Sequence, residues 1–281
     1  MTIVKTIEEV RAQVRAWRAQ GLTVGLVPTM GYLHEGHQSL IARSVAENDR
    51  TVVSDFVNPI QFGPTEDLAT YPRDIARDAA LCEATGADLI FHPEADEMYA
   101  PDFCTYVDMD RLTGGLCGKT RPTHFRGVCT VVSKLFHIVQ PDRAYFGQKD
   151  AQQLAVIRRM VRDLNMPLEI IGCPIVREAD GLAKSSRNTY LNEAERQAAL
   201  CLSRGLAKGK AAVEAGETDA AKVRAVIAGE IEAEPLSRID YVELVDWNTL
   251  EPVDSTEGSI LAAVAVYIGK TRLIDNFIIE R

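Results

Sequence analysis

The stretch VPTMGYLHEGH, residues 27–37, decides how this chain of 281 residues is interpreted. An apolar run ends near Met30, Gly31 supplies a turn, and the following residues have the pattern of a helix start. His34 and His37 are three residues apart and therefore share one face of the first helical turn. Unpaired backbone N–H groups and the helix dipole favour anions there, so two added imidazole donors predict a phosphate site. A capping loop with one surface and one core histidine is the alternative, and the strand–glycine–helix context favours the phosphate site.

Short β-branched runs alternate with amphipathic stretches on both sides of this segment. Strands are predicted at residues 24–29, 51–57, 88–92, 144–146 and 168–176, and helices at residues 36–48, 74–85, 128–139 and 151–163. This alternation predicts an α/β domain with a parallel sheet and right-handed crossovers. Ligands of such sheets bind beyond the carboxyl ends of the strands.

The pattern changes after residue 176. Helices are predicted at residues 193–215 and 219–234, followed by strands at residues 238–246, 259–268 and 273–279. Helices followed by consecutive strands predict a small α+β domain with an antiparallel sheet. We therefore expect one domain over residues 1–175 and a smaller one over residues 176–281.

Composition excludes several functional classes. The net charge of −9, without a basic block, disfavours nucleic acid but allows small anionic substrates. Charges close to the first residue break any signal-peptide core, and no stretch approaches the roughly 20 apolar residues of a membrane span. Six scattered cysteines without a C-x-x-C pair predict free thiols in a reducing compartment, the cytoplasm.

Two further segments follow predicted strand ends. In FVNPIQFG, residues 56–63, Asn58 and Gln61 are neutral donor–acceptor groups suited to hydroxyl and carboxylate recognition, although Asn-Pro alone is a turn signal. In YFGQKDAQQ, residues 145–153, Lys149 can meet a phosphate. Asp150 can accept hydrogen bonds from ribose hydroxyls, and Gln153 lies one turn further along the helix, although a simple helix cap fits this segment equally well.

Two loops carry further polar groups. Residues 180–188, DGLAKSSRN, combine a glycine with two hydroxyls and two cations, which can surround phosphates, although a solvated loop has the same composition. Residues 120–126, TRPTHFR, add Arg121 and His124 on another loop.

Two apparent motifs are rejected. HEGH, residues 34–37, is not the H-E-x-x-H zinc motif, because its histidines are three residues apart instead of four. The other histidines are dispersed, so no protein-ligated metal is predicted. GGLCGKT, residues 114–120, is one residue short of a P-loop and lacks a preceding strand. It is interpreted as a flexible surface or active-site loop.

Taken together and in order, these segments resemble the pantothenate synthetase family along essentially the whole chain. The matching runs are PTMG (28–31), HxGH (34–37), FVNPxQF (56–62), RPxHFRG (121–127), FGxKD (146–150), Gln153, SSRN (185–188) and LIDN (273–276). The resemblance implies a Rossmann-like domain of the nucleotidylyltransferase superfamily, a smaller C-terminal lid domain and a homodimer. It also implies a two-step reaction in which pantoate and Mg-ATP give pantoyl-adenylate and pyrophosphate, and β-alanine then displaces AMP.

The resemblance also implies roles for individual residues. The residues implied to bind ATP are Met30, Gly31, His34, His37, Gly147, Lys149, Asp150, Val176, Lys184, Ser185, Ser186 and Arg187. Charge on the phosphates would be stabilised by His34, His37, Lys149, Ser185 and Arg187, with His37 also a proton donor to pyrophosphate. The residues implied to bind pantoate and β-alanine are Gln61, Gln153, Asn58, Arg121 and His124.

Two positions depart from the usual family pattern. Lys184 and Asp55 both stand where an apolar residue is more usual. A backbone contact to adenine would tolerate Lys184, whereas an acid at a strand end is costly when buried unless it is paired.

Two rival functions remain open at this point. A nucleotidylyltransferase of the same superfamily would share His34 and His37 but would not need the segment 56–62. A catalytically silent ATP-binding regulator would bind ATP without pantoate-dependent release of pyrophosphate. The reaction products distinguish all three functions.

Overall fold

A computed structural model describes residues 1–64 and 66–281. The chain forms two compact units. The first comprises Met1–Asp110, Arg121–Gln148 and Val156–Pro174, and the second comprises Arg111–Thr120, Lys149–Ala155 and Ile175–Arg281.

The first unit is built on a parallel sheet of six strands. The strands are β1 (Thr2–Val4), β2 (Val24–Thr29), β3 (Arg50–Asp55), β4 (Leu89–Phe91), β5 (Arg143–Gly147) and β6 (Glu169–Cys173). Their order is β1-β4-β3-β2-β5-β6. The chain leaves β2 toward β3 and later returns to the other side of β2 as β5. Ligands of open α/β sheets bind at such a reversal, at the carboxyl ends of the strands.

Helices connect these strands. They are α1 (Ile7–Arg18), α2 (Glu35–Glu47), α3 (Ile75–Thr85), α4 (Ala95–Met98), α5 (Leu116–Thr120), α6 (His124–Val139) and α7 (Ala151–Asp163). Between α2, α3 and the sheet lies an apolar core that includes Val27, Leu33, Ile41, Cys82 and Ile90. Leu33 belongs to the turn after β2 and is fully buried, so the turn is attached to the core by its own side chain.

The second unit has an antiparallel sheet of three strands, in the order β7-β8-β9. Its helices are α8 (Glu193–Ala198), α9 (Leu200–Glu214) and α10 (Ala220–Glu232), and its strands are β7 (Ser237–Asp246), β8 (Ile260–Ile268) and β9 (Thr271–Ile279). The central strand β8 is apolar and almost entirely buried. Helices α9 and α10 approach closely at Gly209, where an added Cβ would lie 2.5 Å from Ile227 Cγ1.

The structure confirms the prediction of a parallel α/β sheet followed by a small antiparallel sheet. The single helix predicted over residues 193–215 is wrong, because a turn at Ala199 separates α8 from α9 without a proline or glycine to mark it. The flexible loop predicted over residues 114–120 is also wrong. That segment contains α5, and its residues Leu116, Cys117 and Gly118 are buried.

Other differences concern the ends of elements. Strand β1, whose three residues carry no readable periodicity, was not expected, and helix α1 was missed although it begins with a capping box at Thr6 and Glu9. Helix α6 begins at His124, which places that residue on a helix instead of a loop. Within the part of the chain that the structure describes, no helix is both long and apolar enough to cross a membrane.

Candidate active site

The turn after β2 is held in an unusual backbone conformation. Gly31 has φ = 79° and Tyr32 has φ = 50°, so two successive residues are left-handed. Thr29 Oγ1 accepts a hydrogen bond from Gly31 N at 3.2 Å and donates one to Ser54 O at 2.8 Å. The turn is thereby tied to the neighbouring strand β3.

A buried carboxylate completes this turn. Asp78, on α3, accepts hydrogen bonds from Tyr32 N at 2.6 Å and Leu33 N at 2.7 Å. Asp78 is only 1% exposed, and burial raises the pKa of its carboxyl group, as does the charge of Asp55, against the lowering effect of the two N–H groups. Gly31 leaves no room for a side chain, because an added Cβ would overlap Asp55 Oδ1 and lie 3.3 Å from Asp78 Oδ2.

The two histidines form the N-terminal cap of α2. His34 Nδ1 accepts a hydrogen bond from Gly36 N at 3.1 Å, and His37 Nδ1 accepts one from His34 N at 3.3 Å. Because both Nδ1 atoms are acceptors, each neutral ring carries its proton on Nε2. The ring centroids are 4.1 Å apart. The helix start therefore has two adjacent imidazoles in the tautomer that donates from Nε2, a chemistry suited to anionic oxygens.

Asp55, at the end of β3, has a partner in this structure. His92 Nδ1 lies 2.9 Å from Asp55 O and 3.7 Å from Asp55 Oδ1. The hydrogen bond to Asp55 raises the pKa of His92 against the effect of burial. In the described part of the chain, Asp55 Oδ2 is buried without a hydrogen-bond partner. The buried carboxylate of Asp55, next to Gly31, thus has only part of its hydrogen-bonding capacity satisfied.

Asn58 and Gln61 form a buried amide pair. Asn58 Nδ2 donates to Gln61 Oε1 at 2.9 Å and to Gly127 O at 3.1 Å, while Asn58 Oδ1 accepts from Tyr99 Oη at 2.7 Å. Gln61 Nε2 lies 3.0 Å from Met30 Sδ, so the amide places its donor group toward the turn after β2. Asn58, 1% exposed, therefore orients Gln61.

Gly127 brings this pair close to α6. A Cβ at that position would lie 2.5 Å from Gln61 Cα and 2.6 Å from Ile60 O. Only glycine therefore allows α6 to contact the 3₁₀ turn Pro59–Gln61 at this distance.

Arg121 and His124 also contact this region of the first unit. Arg121 donates from Nε and Nη2 to the two carboxylate oxygens of Glu66, both at 2.6 Å. Burial opposes ionisation of Glu66, but the paired guanidinium leaves the pKa of that carboxyl group lowered. His124 Nδ1 lies 3.0 Å from Gln61 O. Both residues thus act on the loop that carries Gln61.

The second unit contains the loop of residues 184–187, called the cationic loop below because it carries Lys184 and Arg187. Residues 176–184 form a hairpin in which Lys184 N donates to Val176 O at 2.9 Å and Glu178 N donates to Leu182 O at 2.8 Å. Gly181 at its tip has φ = 98°. The hairpin leads into the 3₁₀ helix Ser186–Tyr190, whose cap Ser185 accepts at Oγ from Arg187 N at 3.3 Å. The predicted residues Lys184, Ser185, Ser186 and Arg187 are therefore consecutive on one ordered loop.

Lys149 and Asp150 occupy a 3₁₀ turn, Gln148–Asp150, directly before α7. Lys149 Nζ lies 3.9 Å from Asp150 Oδ2. Gln152, in the first turn of α7, bonds to the backbone of Leu112, Gly115 and Cys117, whereas its neighbour Gln153 was the residue singled out from the sequence. Among residues 1–64 and 66–281, no group of three or more His, Cys, Asp or Glu side chains could hold a metal ion.

Comparison with known proteins identifies the family of this chain. The sequence matches the family described as Pantoate-beta-alanine ligase over residues 2–278. The chain belongs to the pantoate–β-alanine ligase family. It is 57% identical over 277 residues to the pantothenate synthetase of Clostridium botulinum (strain Langeland), covering 99% of both chains. It is 61% identical over 274 residues to that of Clostridium novyi (strain NT), covering 98% of this chain and 97% of the other.

Solved structures of pantoate–β-alanine ligases have the same fold. The enzyme from Thermus thermophilus superimposes with a TM-score of 0.93 at 46% identity, covering 99% of both chains. The Francisella tularensis enzyme, in complex with β,γ-ATP and β-alanine, has a TM-score of 0.80 at 31% identity, covering 99% of this chain and 97% of the other. As a pantoate–β-alanine ligase, this chain condenses pantoate with β-alanine in pantothenate biosynthesis.

The sequence did not indicate three residues that support these segments. Asp78, His92 and Tyr99 are distant in sequence from the residues they contact, and none belongs to a motif that the sequence analysis singled out. A buried aspartate in the first turn of α3 is read from sequence as a helix-capping acid. Only the fold shows that Asp78 bonds to another element.

Proposed function

We propose that the ligase works through a pantoyl-adenylate formed from ATP, and that the capped histidine pair is the centre of this chemistry. The observation that carries the proposal is the acceptor role of both Nδ1 atoms in His34 and His37. In neutral rings it places both N–H groups at Nε2, at a helix N-terminus where the dipole also favours a polyphosphate.

The reaction has two displacement steps. A pantoate carboxylate oxygen attacks the α-phosphorus of ATP, and the bond to the β-phosphate oxygen breaks to release pyrophosphate. The β-alanine amine then attacks the acyl carbon, loses a proton, and the carbon–oxygen bond to AMP breaks. Both nucleophiles come from substrates, so the protein has to orient them and to stabilise the charge that develops on oxygen.

In the first unit we assign Met30, Gly31, His34, His37 and Gly147 to ATP. In the proposed step, His37 donates a hydrogen bond from Nε2–H to the leaving pyrophosphate, whose charge it stabilises. Substrate binding in this unit is assigned to Gln61, Asn58, Arg121 and His124. Gln61 contacts the substrate, because the other three are engaged in holding the residues around it: Asn58 by Tyr99 and Gly127, Arg121 by Glu66, and His124 by Gln61 O.

In the second unit we assign the cationic loop and the turn before α7 to ATP. The residues are Lys149, Asp150, Val176, Lys184, Ser185, Ser186 and Arg187, and Gln153 is assigned to pantoate. The proposed domains are residues 1–175, for ATP and pantoate, and residues 176–281, for a lid that excludes water, since an exposed acyl-adenylate hydrolyses. The loop of residues 184–187 is the part of this lid that we assign to ATP.

ATP enters this scheme as its Mg²⁺ complex. Mg²⁺ in nucleotide sites is held mainly by phosphate oxygens and water and needs few protein ligands. The proposal also includes a cytoplasmic homodimer. Six free cysteines are consistent with a reducing compartment, and light scattering of the purified chain tests the dimer.

The decisive experiment measures pyrophosphate release from Mg-ATP by the purified protein. With pantoate alone, we expect release equal to the amount of enzyme, and with β-alanine added we expect turnover that yields AMP and pantothenate. Leaving Mg²⁺ out is the control for the metal complex. Absence of pantoate-dependent release would reject the adenylate route, and a retained nucleotidyl product would favour a nucleotidylyltransferase.

A further inference from the structure

The motif LIDN, residues 273–276, has no role in the reaction as proposed, yet its two polar residues are buried in β9. Asp275 is 3% exposed and Asn276 is 4% exposed. Buried polar side chains are retained only with hydrogen-bond partners, so their partners indicate what they do. Both lie in the same compact unit as the cationic loop and the turn before α7.

Asp275 holds the hairpin that leads into the cationic loop. Arg177 donates from Nη1 to Asp275 Oδ2 at 2.7 Å and from Nη2 to Asp275 Oδ1 at 2.9 Å. The same Nη1 donates to Gly181 O at 3.0 Å, at the tip of the hairpin. Asp275 Oδ1 also accepts from Asn276 N at 2.8 Å. One carboxylate thus connects β9 to the first strand of the hairpin through a two-bond guanidinium contact, and through Arg177 to the tip of the hairpin.

Asn276 holds the second segment. Its Nδ2 donates to Lys149 O at 2.9 Å, within the 3₁₀ turn Gln148–Asp150. Two neighbouring residues of one regular strand therefore bond to the backbone of the Lys149 turn and, through Arg177, to the hairpin before Ser185. The strand itself is paired with β8 over its whole length, from Ile260↔Ile279 to Ile268↔Thr271.

We propose that Asp275 and Asn276 are positioning residues for adenylate formation, an inference that rests on the proposed function. They set the distance between Lys149 and the loop Lys184–Arg187 before substrates bind. Preset cations need no reorganisation as charge develops on the phosphates, whereas loops that must first be ordered reduce the rate of the chemical step. Neither residue contacts the reacting atoms.

Three variants of the full-length chain test this inference. Asp275→Asn removes the charge that fixes Arg177. Arg177→Lys keeps the cation but cannot form two parallel bonds to a carboxylate. Asn276→Asp keeps the size of the side chain but removes the donor to Lys149 O. Ile231→Ala is the control, because Ile231 is fully buried in α10 of the same unit and its loss destabilises the core without touching either loop.

Steady-state kinetics and thermal unfolding are measured for all four variants and the wild type. We expect each test variant to lose about tenfold or more in kcat, with KM for β-alanine within about twofold of wild type. Ile231→Ala is expected to lose as much thermal stability while keeping kcat close to wild type.

Two results would overturn the inference in distinguishable ways. If the wild type releases pyrophosphate with pantoate and the test variants match Ile231→Ala in kcat, the positioning role is wrong and the proposed function stands. If the wild type shows no pantoate-dependent release, both fail. If Asp275→Asn does not fold, the Asn276→Asp and Arg177→Lys variants decide the outcome, since each leaves Asp275 in place.

Discussion

The turn after β2 and the cationic loop of residues 184–187 present similar chemistry but are held by different forces. The turn is held by backbone N–H groups that donate to side-chain oxygens and imidazole nitrogens, and its two left-handed residues lie against a buried carboxylate. The loop follows a regular hairpin that is tied to its own unit by an ion pair between Arg177 and Asp275. Few other residues could adopt the backbone conformation of the turn. The hairpin before the loop depends instead on the long Arg177 side chain, which is 33% exposed.

The largest expected effect is a loss of activity in a variant of the β2 turn that still folds. His37→Ala should reduce pantoate-dependent pyrophosphate release by about 10²–10³-fold, the cost of losing one donor to a developing charge. The circular dichroism spectrum should remain that of the folded protein. Gln38→Ala, on the exposed neighbouring position of the same helical turn, is the control and should keep full activity. Near-normal release by folded His37→Ala would remove His37 from the mechanism.

The next effect tests how the β2 turn is held. Asp78→Ala leaves the N–H groups of Tyr32 and Leu33 without their acceptor, and this should lower the free energy of unfolding by about 3 kcal/mol. Urea unfolding measures the loss. Arg77→Ala removes only an exposed cation stacked 4.5 Å from the centre of the Tyr32 ring, and should cost about 0.5 kcal/mol. Equal losses in the two variants would mean that the carboxylate does not hold the turn.

A pair of glycine variants compares the two regions directly. Gly31→Ala combines a left-handed backbone with overlap against Asp55, so we expect a loss of about 2 kcal/mol in stability and of most activity. Gly181→Ala has the backbone penalty alone, because its Cβ would lie 3.4 Å from Ser203 Oγ, and should cost about 1 kcal/mol. Calorimetry ranks the two variants. A greater loss for Gly181→Ala would reverse the comparison.

The smallest expected effect concerns pH and the partner of Asp55. The pKa of His92 is raised in the folded state, so its contribution to stability is full below the ordinary histidine pKa of about 6.5 and is lost as pH rises through the folded value. His92→Gln keeps a hydrogen-bonding group but does not titrate. The stability difference between wild type and His92→Gln should therefore be about 1 kcal/mol larger near pH 6 than near pH 8.5. A difference independent of pH would exclude this pairing.

Local sequence patterns were sufficient to predict most of the secondary structure of this molecule. The alternation of strands and helices predicted the parallel sheet, and the start of α2 could be read from a glycine followed by two histidines, because helix starts and amphipathic periods depend on neighbouring residues. The break at Ala199 carries no such signal, since alanine favours helix on both sides of it.

Contacts between distant segments could not be read in this way. Asp55 seemed uncompensated in the sequence because its partner is set by strand pairing: Ser54 lies opposite Phe91, so Asp55 comes next to His92. Asp78 is similarly brought to the β2 turn by the packing of α3, 46 residues further along the chain. Both contacts depend on the tertiary structure.

The caps of His34 and His37 have a consequence for the design of inhibitors. Because each Nδ1 already accepts a backbone hydrogen bond, the capped pair can offer a ligand only its Nε2–H donors. A compound directed at this turn should therefore present acceptor oxygens, as a sulfonyl or carboxylate group does. An ammonium or amidine group at the same place would bring donors against donors and should bind weakly.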